Sequence, residues 1–533
     1  MAKSKYWDKR GKEHKGPFDT IVIGSGMGSM TAAALLSELG ERVLVLEQHY
    51  EPGGYTHTFK RPGGYIWDVG VHAIGEVSEH TMTGRLLKKL TRGQLEWESL
   101  GEVYDSFHFP DGFDIDFPDN PNDFRANLLA AFPDEARAIG LYFDAIKDVG
   151  QAMKRYYASR VLPSQVSGAA DFILNRKVLQ YFERSAEDVL RDFTDNEKLR
   201  AVLCSQWGYY GSVPRDASFA IQALVARHFL WGAYYPVGGS DKIAQGLLGT
   251  VAHHGGWTRI ASPVDAIIIE DGAAVGVEVA GEAYRADRII SGIGAQATLT
   301  RLLPASYRMK HWGASFEALE PAAAHVCLYL GFKGDVRAAG ATAANQWFYN
   351  TWDQTIEAWD VAPGAENKPD APILYCSFPS LKDSTHDPGP EQKHTGEVVT
   401  FVPWESFEQW SGSRWKKRGE DYEAFKNELQ ELLLQQFFEA MPELEPLVDY
   451  IDFSTPASTD YFNRAVGGSI YGLAPTPERY TNKWLRPKSP IPNLFLAGCD
   501  VCSPGVIGAM FGGVLAATAA RPVDAGRYMR DIL

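Results

Sequence analysis

Cysteine is scarce, with five in 533 residues. An odd, mostly scattered set builds no disulfide framework and suits a reducing compartment. Positive charge is in deficit as well: 52 Lys and Arg stand against 67 Asp and Glu, a formal charge of −15. The summed field repels phosphates, which excludes a nucleic-acid partner. No stretch reads as a membrane span. The longest uncharged run, Val501 to Ala520, is broken by glycines and opens on Ser-Pro, which predicts a buried helix. No metal is expected: Cys499-Asp500-Val501-Cys502 has no second Cys-x-x-Cys, and the neighbours His253 and His254 cannot easily face one ion. Repeats and low-complexity blocks are missing.

What is present is a folded globular chain, 45% hydrophobic and 22% charged, long enough for two to four domains and a deep pocket. Residues 1–17 are basic, through Lys3, Lys5, Lys9, Arg10, Lys12 and Lys15. No apolar core follows those charges, so the segment reads as a tail and not as a secretory signal. The tail is either solvated or docked on anionic lipid. The expected location is cytoplasmic, with peripheral membrane contact as an added expectation.

The first chemical signal is Thr20-Ile21-Val22-Ile23, a buried-strand run that enters Gly24-Ser25-Gly26-Met27-Gly28-Ser29. An Ala- and Leu-rich helix follows to Leu39, and a second strand, Arg42 to Leu46, ends at Glu47. This is a βαβ unit with glycines at its first turn and an acid at the tip of its second strand, the arrangement that binds a dinucleotide. Gly24 permits the turn, Gly26 lets backbone approach a pyrophosphate, and the helix start stabilises its charge. Ser29 replaces the third glycine of the pattern and is small enough for close helix–strand packing. Glu47 is placed to accept from both ribose hydroxyls.

Gln48-His49-Tyr50-Glu51-Pro52-Gly53-Gly54 and then Asp68-Val69-Gly70-Val71-His72 come next. A double glycine soon after the ribose acid, followed by Asp-x-Gly, resembles the FAD proteins of the amine oxidase and phytoene desaturase superfamily. That resemblance implies FAD as cofactor, with Gln48, Gly53, Gly54, Asp68 and Gly70 in the loop that crosses it. It also implies a return to the flavin near the C-terminus. Asn493 to Gly498, Asp500, Ser503-Pro504-Gly505-Val506-Ile507-Gly508-Ala509 and the run to Ala520 fit that return. Ser503 is expected as the helix N-cap with Pro504 in the first turn, and Asp500 as the ribityl ligand. Gly505, Gly508, Gly512 and Gly513 should let another backbone or a flat ring lie against the helix. Between the two ends, Val264 matches the position whose backbone contacts adenine.

Asp68-Val69-Gly70-Val71-His72-Ala73-Ile74-Gly75, Gly211 to Phe219, Thr455 to Thr459 and Gly467 to Leu473 are similar to segments of the retinol saturases and related carotenoid isomerases. The implied fold is α/β with an α+β substrate part, a Rossmann-like FAD-binding domain with a discontinuous substrate domain. The FAD part is assigned to 18–75, 236–300 and 461–520, and the substrate part, helical with a β-sheet, to 76–235 and 301–460. The implied activity is hydride transfer at flavin N5 to or from a C–C or C=C bond of a long lipophilic chain, a carotenoid, retinoid or fatty acyl substrate. Saturase, desaturase and isomerase chemistry share that geometry, and the electron partner stays open. The alternatives are a non-catalytic prenyl- or lipid-binding carrier of the same fold and a flavin amine oxidase.

For proton transfer the candidate is His72, because imidazole titrates near working pH; a role in shaping the flavin loop is its equal rival. Arg215 and Arg464 are candidates for a substrate carboxylate or headgroup, against salt bridges as the alternative. Cys499 and Cys502 invite a dithiol reading but default to small buried residues. The stretch from Ala220 to Tyr235, aromatic and lightly charged, is either core or the lining of an apolar tunnel.

Overall fold

The computed structural model describes residues 6–9, 16–161, 179–356 and 358–532. Lys3, Lys5, Arg10, Lys12 and Lys15 of the basic segment lie outside them. Its residues Trp7–Asp8 are not a free tail: they pair in parallel with Thr258 and Arg259 as the edge of the first sheet.

That sheet has six parallel strands in the order Trp7–Asp8, Trp257–Arg259, Val43–Leu46, Thr20–Ile23, Arg288–Ser291 and Leu494–Leu496. The two strands of the βαβ unit are fully buried, which is why they read as continuous apolar runs without alternation. Parallel strands need a crossover, and helix Met27–Glu38 supplies it between Thr20–Ile23 and Val43–Leu46. The strand that opens at Trp257 ends at Arg259. The chain then turns into a separate antiparallel sheet of Ala266–Glu270, Ala273–Val279 and Glu282–Arg285.

The start and the end of the chain meet at this first sheet. Helix Gly505–Ala520 lies on helix Met27–Glu38, and the approach is allowed only by absent side chains. A Cβ on Gly28 would stand 2.5 Å from Gly498 Cα and 2.7 Å from the Ala509 carbonyl oxygen; one on Gly513 would stand 2.2 Å from the Gly28 oxygen. The run Val501 to Ala520 is therefore a buried helix for its helical part, packed backbone to backbone. Among the described residues no helix is long and apolar enough to cross a membrane.

A second sheet, of seven strands, runs Val448–Ser454, Ala324–Lys333, Lys393–Val402, Ile373–Ser377, Asn345–Tyr349, Val103–Phe109 and Phe113–Pro118. Alternation along its strands divides two destinations. Val326, Leu328, Leu374, Cys376, Val398 and Val402 point into a core shared with helix Glu420–Ala440. His325, Cys327, Ile373, Tyr375, Val399 and Phe401 point the other way, to a cavity. Both faces are covered, so the central strands are buried almost throughout. Helices Pro121–Ala131, Ala136–Arg160, Ala186–Phe193, Glu197–Cys204 and Phe219–Phe229 pack around the far end of this sheet. The residues Ala220, Ile221, Ala223, Phe229 and Tyr235 belong to that core, and none of the stretch from Ala220 to Tyr235 lines the cavity. The tunnel reading of this stretch is replaced by the core reading.

Candidate active site

One cavity of about 520 Å³ runs between the two sheets, within the range of small-molecule and cofactor sites. Its first end is paved with backbone. Gly24, with φ +86°, turns the chain out of its strand, and Gly26 then caps helix Met27–Glu38 with no side chain satisfying the helix N–H groups. A Cβ on Gly26 would meet nothing within 4 Å, so its missing side chain serves the cavity. Helix Gly505–Ala520 opens onto the same end. Its N-cap is Pro504, not Ser503, and it too has no side-chain cap. The Ser503 carbonyl instead packs against Gly508, at 2.1 Å from where a Cβ on that residue would stand. Two uncapped helix N-termini facing one space favour an anion, each by about 0.3–1 kcal/mol at exposed sites.

Glu47 closes this end. Its Oε2 accepts from the Ser25 N–H at 2.8 Å and the Ser25 hydroxyl at 2.6 Å, and Oε1 accepts from the His49 N–H at 2.6 Å. Ser25 Oγ accepts in turn from the Gly53 N–H at 3.0 Å, which ties the double-glycine loop to the first turn. A Cβ on Gly54 would press on Gly26 Cα at 3.0 Å, so the loop crosses the turn in direct backbone contact. Gln48 donates to the Phe462 carbonyl at 2.9 Å and Tyr55 to that of Ser469 at 2.9 Å, drawing the C-terminal segment over the loop. Asp500 accepts from the Ala295 N–H at 2.7 Å and the Leu473 N–H at 3.0 Å, so this carboxylate braces backbone from two segments while lining the cavity.

The other end is apolar. Tyr209, Trp347, Ile373, Tyr375, Val399 and Phe401 form its wall. Trp347 lies 4.4 Å from Tyr375 and 4.9 Å from Tyr209 between ring centroids, so the rings hold one another in place. Two imidazoles enter this chamber, His72 and His325. Burial pushes His325 down to about 4 and His72 down to about 3, the latter with help from the Lys382 cation. Nδ1 of His72 lies 2.8 Å from Glu397 Oε2. The Glu397 carboxyl, deeply buried, is pushed up to about 8. Lys382 Nζ donates to the His72 carbonyl and to Ser377 Oγ, both at 2.8 Å. Burial pulls Lys382 down to about 7 against the attraction of Glu397, Asp105 and Asp68.

Of the residues singled out in the sequence, Gly24, Gly26, Gly28, Glu47, Gln48, Gly54, Gly70, His72, Val264, Gly498, Asp500, Gly505, Val506 and Ala509 line this one cavity. Ser29, Gly53, Asp68 and Gly508 sit behind its wall. Ser29 packs where a Cβ on Gly292 would stand, at 1.9 Å. Asp68 is buried and accepts from the Tyr235 hydroxyl at 2.5 Å and the Ser240 N–H at 3.2 Å; burial, and then the neighbouring Glu397, push its carboxyl up to about 7. Arg215 is not brought to the site: it is half exposed and ion-paired with Asp216 at 3.2 Å. Arg464 does line the cavity, and its carbonyl accepts from Arg301. Cys499 and Cys502 are free thiols that burial pushes up to about 12 and about 11, which keeps them protonated and poor nucleophiles.

Glu397, Lys382, His325, Tyr209, Trp347, Tyr375 and Phe401 were missed in the sequence. A carboxylate inside the apolar strand run Gly396 to Val402 was the one available signal, since an unpaired charge there is too costly to be incidental.

A glycine-paved anion cradle that opens into an aromatic chamber defines an FAD-dependent oxidoreductase, and FAD fits: the open space above Gly26 and the two bare helix ends accept a pyrophosphate that any side chain would obstruct. The chain belongs to the flavin containing amine oxidoreductase family, whose model matches residues 30–521. Among curated proteins it is 32% identical to the all-trans-retinol 13,14-reductase of Danio rerio, over 93% of this chain and 84% of that protein. It is 26% identical to the chloroplastic prolycopene isomerase of Arabidopsis thaliana, over 94% and 82%. The crystal structure of an oxidoreductase from Methanosarcina mazei shares the fold, with a TM-score of 0.61, 16% identity and coverage of 93% of this chain and 98% of the other.

Proposed function

We propose that the protein reduces or isomerises a C=C bond of a conjugated polyene, a retinoid or carotenoid, with FAD held across the cavity. The observation that carries this reading is the continuity of the cradle with a chamber walled by Tyr209, Trp347, Tyr375 and Phe401, whose apolar surface suits a flat hydrocarbon and offers a charged amine no carboxylate at that end. The retinol reductase and prolycopene isomerase relatives support the same substrate class.

The assigned roles follow the geometry. Gly24, Gly26, Gly28 and the helix start at Gly505, Val506 and Ala509 hold the pyrophosphate; Glu47, positioned by Ser25, holds the adenosine ribose; Val264 borders the adenine. Gln48, Gly54, Gly70 and Asp500 complete the cradle, and Gly53, Asp68 and Gly508 shape it from behind. Bound flavin supplies or accepts the hydride. The aromatic wall positions the polyene and excludes water, and His72 exchanges a proton with the carbon beside the one that takes hydride. Arg215 is assigned no part.

Reconstituted protein, prereduced without oxygen and mixed with all-trans-retinol, is expected to yield a product two mass units heavier; with a cis-polyene carotenoid it is expected to yield an isomer of unchanged mass. Turnover of simple amines with neither polyene reaction would replace this reading with amine oxidation. A colourless protein that cannot be loaded with FAD yet retains lipid would replace it with a carrier.

A further inference from the structure

Glu397 and Lys382 have no work in the reading above, yet both are buried at the back of His72. Glu397 lies on the strand face whose Val399 and Phe401 wall the chamber. Its Oε2 is 2.8 Å from His72 Nδ1, and its Oε1 accepts from the Asp68 N–H at 3.1 Å. Oε2 and Nδ1 are close but not aligned as a hydrogen bond, so proton transfer between them needs a small rotation of the imidazole that completes the Nδ1–Oε2 contact and leaves Nε2 for the substrate. The ammonium of Lys382 spends its three protons on the His72 carbonyl, Ser377 Oγ and Asn345 Oδ1. Asn345 donates onward to Asp105 at 2.8 Å, and Asp105 also accepts from the chamber residue Tyr209 at 2.7 Å. The charged and titratable groups around His72 are thus Glu397, Asp68, Lys382, His325 and Tyr375, whose ring lies edge-on 5.1 Å from the imidazole. Water has been removed from all of them, and a carboxyl and an amine persist in such a place only when paired or used.

We propose that Glu397 is the proton store of the site, a role that rests on the polyene reading. During reduction, the Nε2–H bond of His72 breaks as its proton joins the substrate carbon next to the one receiving hydride. The O–H bond of Glu397 breaks as its proton joins Nδ1. The two electrons come with the hydride from reduced flavin, which an external two-electron donor has replenished. The double bond gains one hydride and one proton, His72 ends neutral in its other tautomer, and Glu397 ends as a carboxylate stabilised by the Lys382 ammonium. Water that enters after product departure protonates Nε2, and the Nδ1 proton returns to Glu397. The resting state required is a neutral acid beside a neutral imidazole, and burial pushes the two groups in those directions.

The test uses the FAD-loaded protein and the variants Glu397→Gln and Lys382→Met. Infrared difference spectra against pH should show a protonated carboxyl band that titrates near 8, separate from the Asp68 band near 7. The band should vanish in Glu397→Gln and persist to higher pH in Lys382→Met. In single-turnover reduction of retinol, Glu397→Gln should lose about 100-fold or more of the rate and its solvent isotope effect should change, with flavin content retained. A wild-type protein without that band overturns the proposal, as does Glu397→Gln with an unchanged rate and isotope effect. If the wild type reduces no polyene, the substrate reading fails and the band alone decides whether Glu397 stores a proton. If Glu397→Gln does not fold, Glu397→Asp replaces it: its band should titrate at a different pH, and a wild-type titration curve refutes the assignment.

Discussion

Gly26 and Gly28, two positions apart, make different demands, and substituting each with alanine separates folding from cofactor binding. In Gly28→Ala the new methyl would stand 2.5 Å from Gly498 Cα, 2.6 Å from Gly498 N and 2.7 Å from the Ala509 oxygen. All three obstacles are backbone, so no rotamer relieves them, and helix Gly505–Ala520 must move off helix Met27–Glu38. Overpacking of this kind costs about 1–3 kcal/mol or more. At about 2–4 °C per kcal/mol for a cooperative unit of 150–250 residues, the apoprotein should melt several degrees early. In Gly26→Ala the methyl meets no protein atom within 4 Å, and the residue's φ of −65° suits alanine. The apoprotein should therefore melt as the wild type does. The methyl occupies space assigned to the pyrophosphate, so the upward shift on adding FAD, about 4 kcal/mol at a thousandfold excess over Kd, should shrink or disappear. Thermal melts with and without FAD, together with the flavin-to-protein absorbance ratio, read both effects. An early-melting apo Gly26→Ala, or one that binds FAD as the wild type does, refutes the assignment of the cradle; a normally melting Gly28→Ala refutes the packing argument.

The remaining predictions concern the chamber and its charges. Gly208→Ala places a methyl 2.7 Å from the Trp347 ring, which Tyr209, Tyr375 and Phe107 hold from other sides; KM for a polyene should rise at least several-fold with flavin content unchanged, and unchanged KM would place the substrate elsewhere. Arg215→Ala removes a half-exposed ion pair with Asp216, so kcat/KM should stay within about twofold and stability within about 1 kcal/mol; a tenfold loss of kcat/KM would restore Arg215 to the site. The buried carboxyl of Glu397 is raised from 4.5 to about 8. Its contribution is therefore fully present below pH 4.5 and is lost as pH rises toward 8, because the unfolded chain releases that proton first. Glu397→Gln should consequently gain on the wild type across that window, by an amount on the order of a few kcal/mol; a difference in melting temperature that stays flat from pH 5 to 8 contradicts the buried neutral acid.

Legibility in the sequence follows the range of the interaction. The cradle was readable because its requirements are local: a turn needing positive φ at Gly24, an uncapped helix start at Gly26 and an acid one strand later at Glu47 all fall within about 25 residues. The closing helix was readable through its glycines, although its N-cap falls one residue later than expected, at Pro504, with the Ser503 carbonyl packed on Gly508. The chamber was not readable. Tyr209, Trp347, Tyr375 and Phe401 come from a connecting segment and three strands, and only the sheet register brings them onto one face. The same holds for Glu397, which pairs with Tyr329 in the antiparallel ladder of Ala324–Lys333 with Lys393–Val402 and so shares a strand face with Val399 and Phe401.

This division explains why the cofactor was easier to infer than the chemistry. FAD asks for backbone: bare N–H groups, close approach and one acid, all of which glycine spacing announces. Proton transfer in a dry hydrocarbon chamber asks instead for a donor that is neutral at rest, because a buried imidazolium would be too costly to keep. His72 alone cannot meet that demand: burial keeps it a neutral imidazole, and giving up its one N–H proton would leave an imidazolate. A second buried acid can, and in an acid whose proton is retained by burial the cost of desolvation becomes the reason that a proton is available at neutral pH. Glu397, 329 residues from the Asp68 N–H that it accepts, fills that position only through the fold.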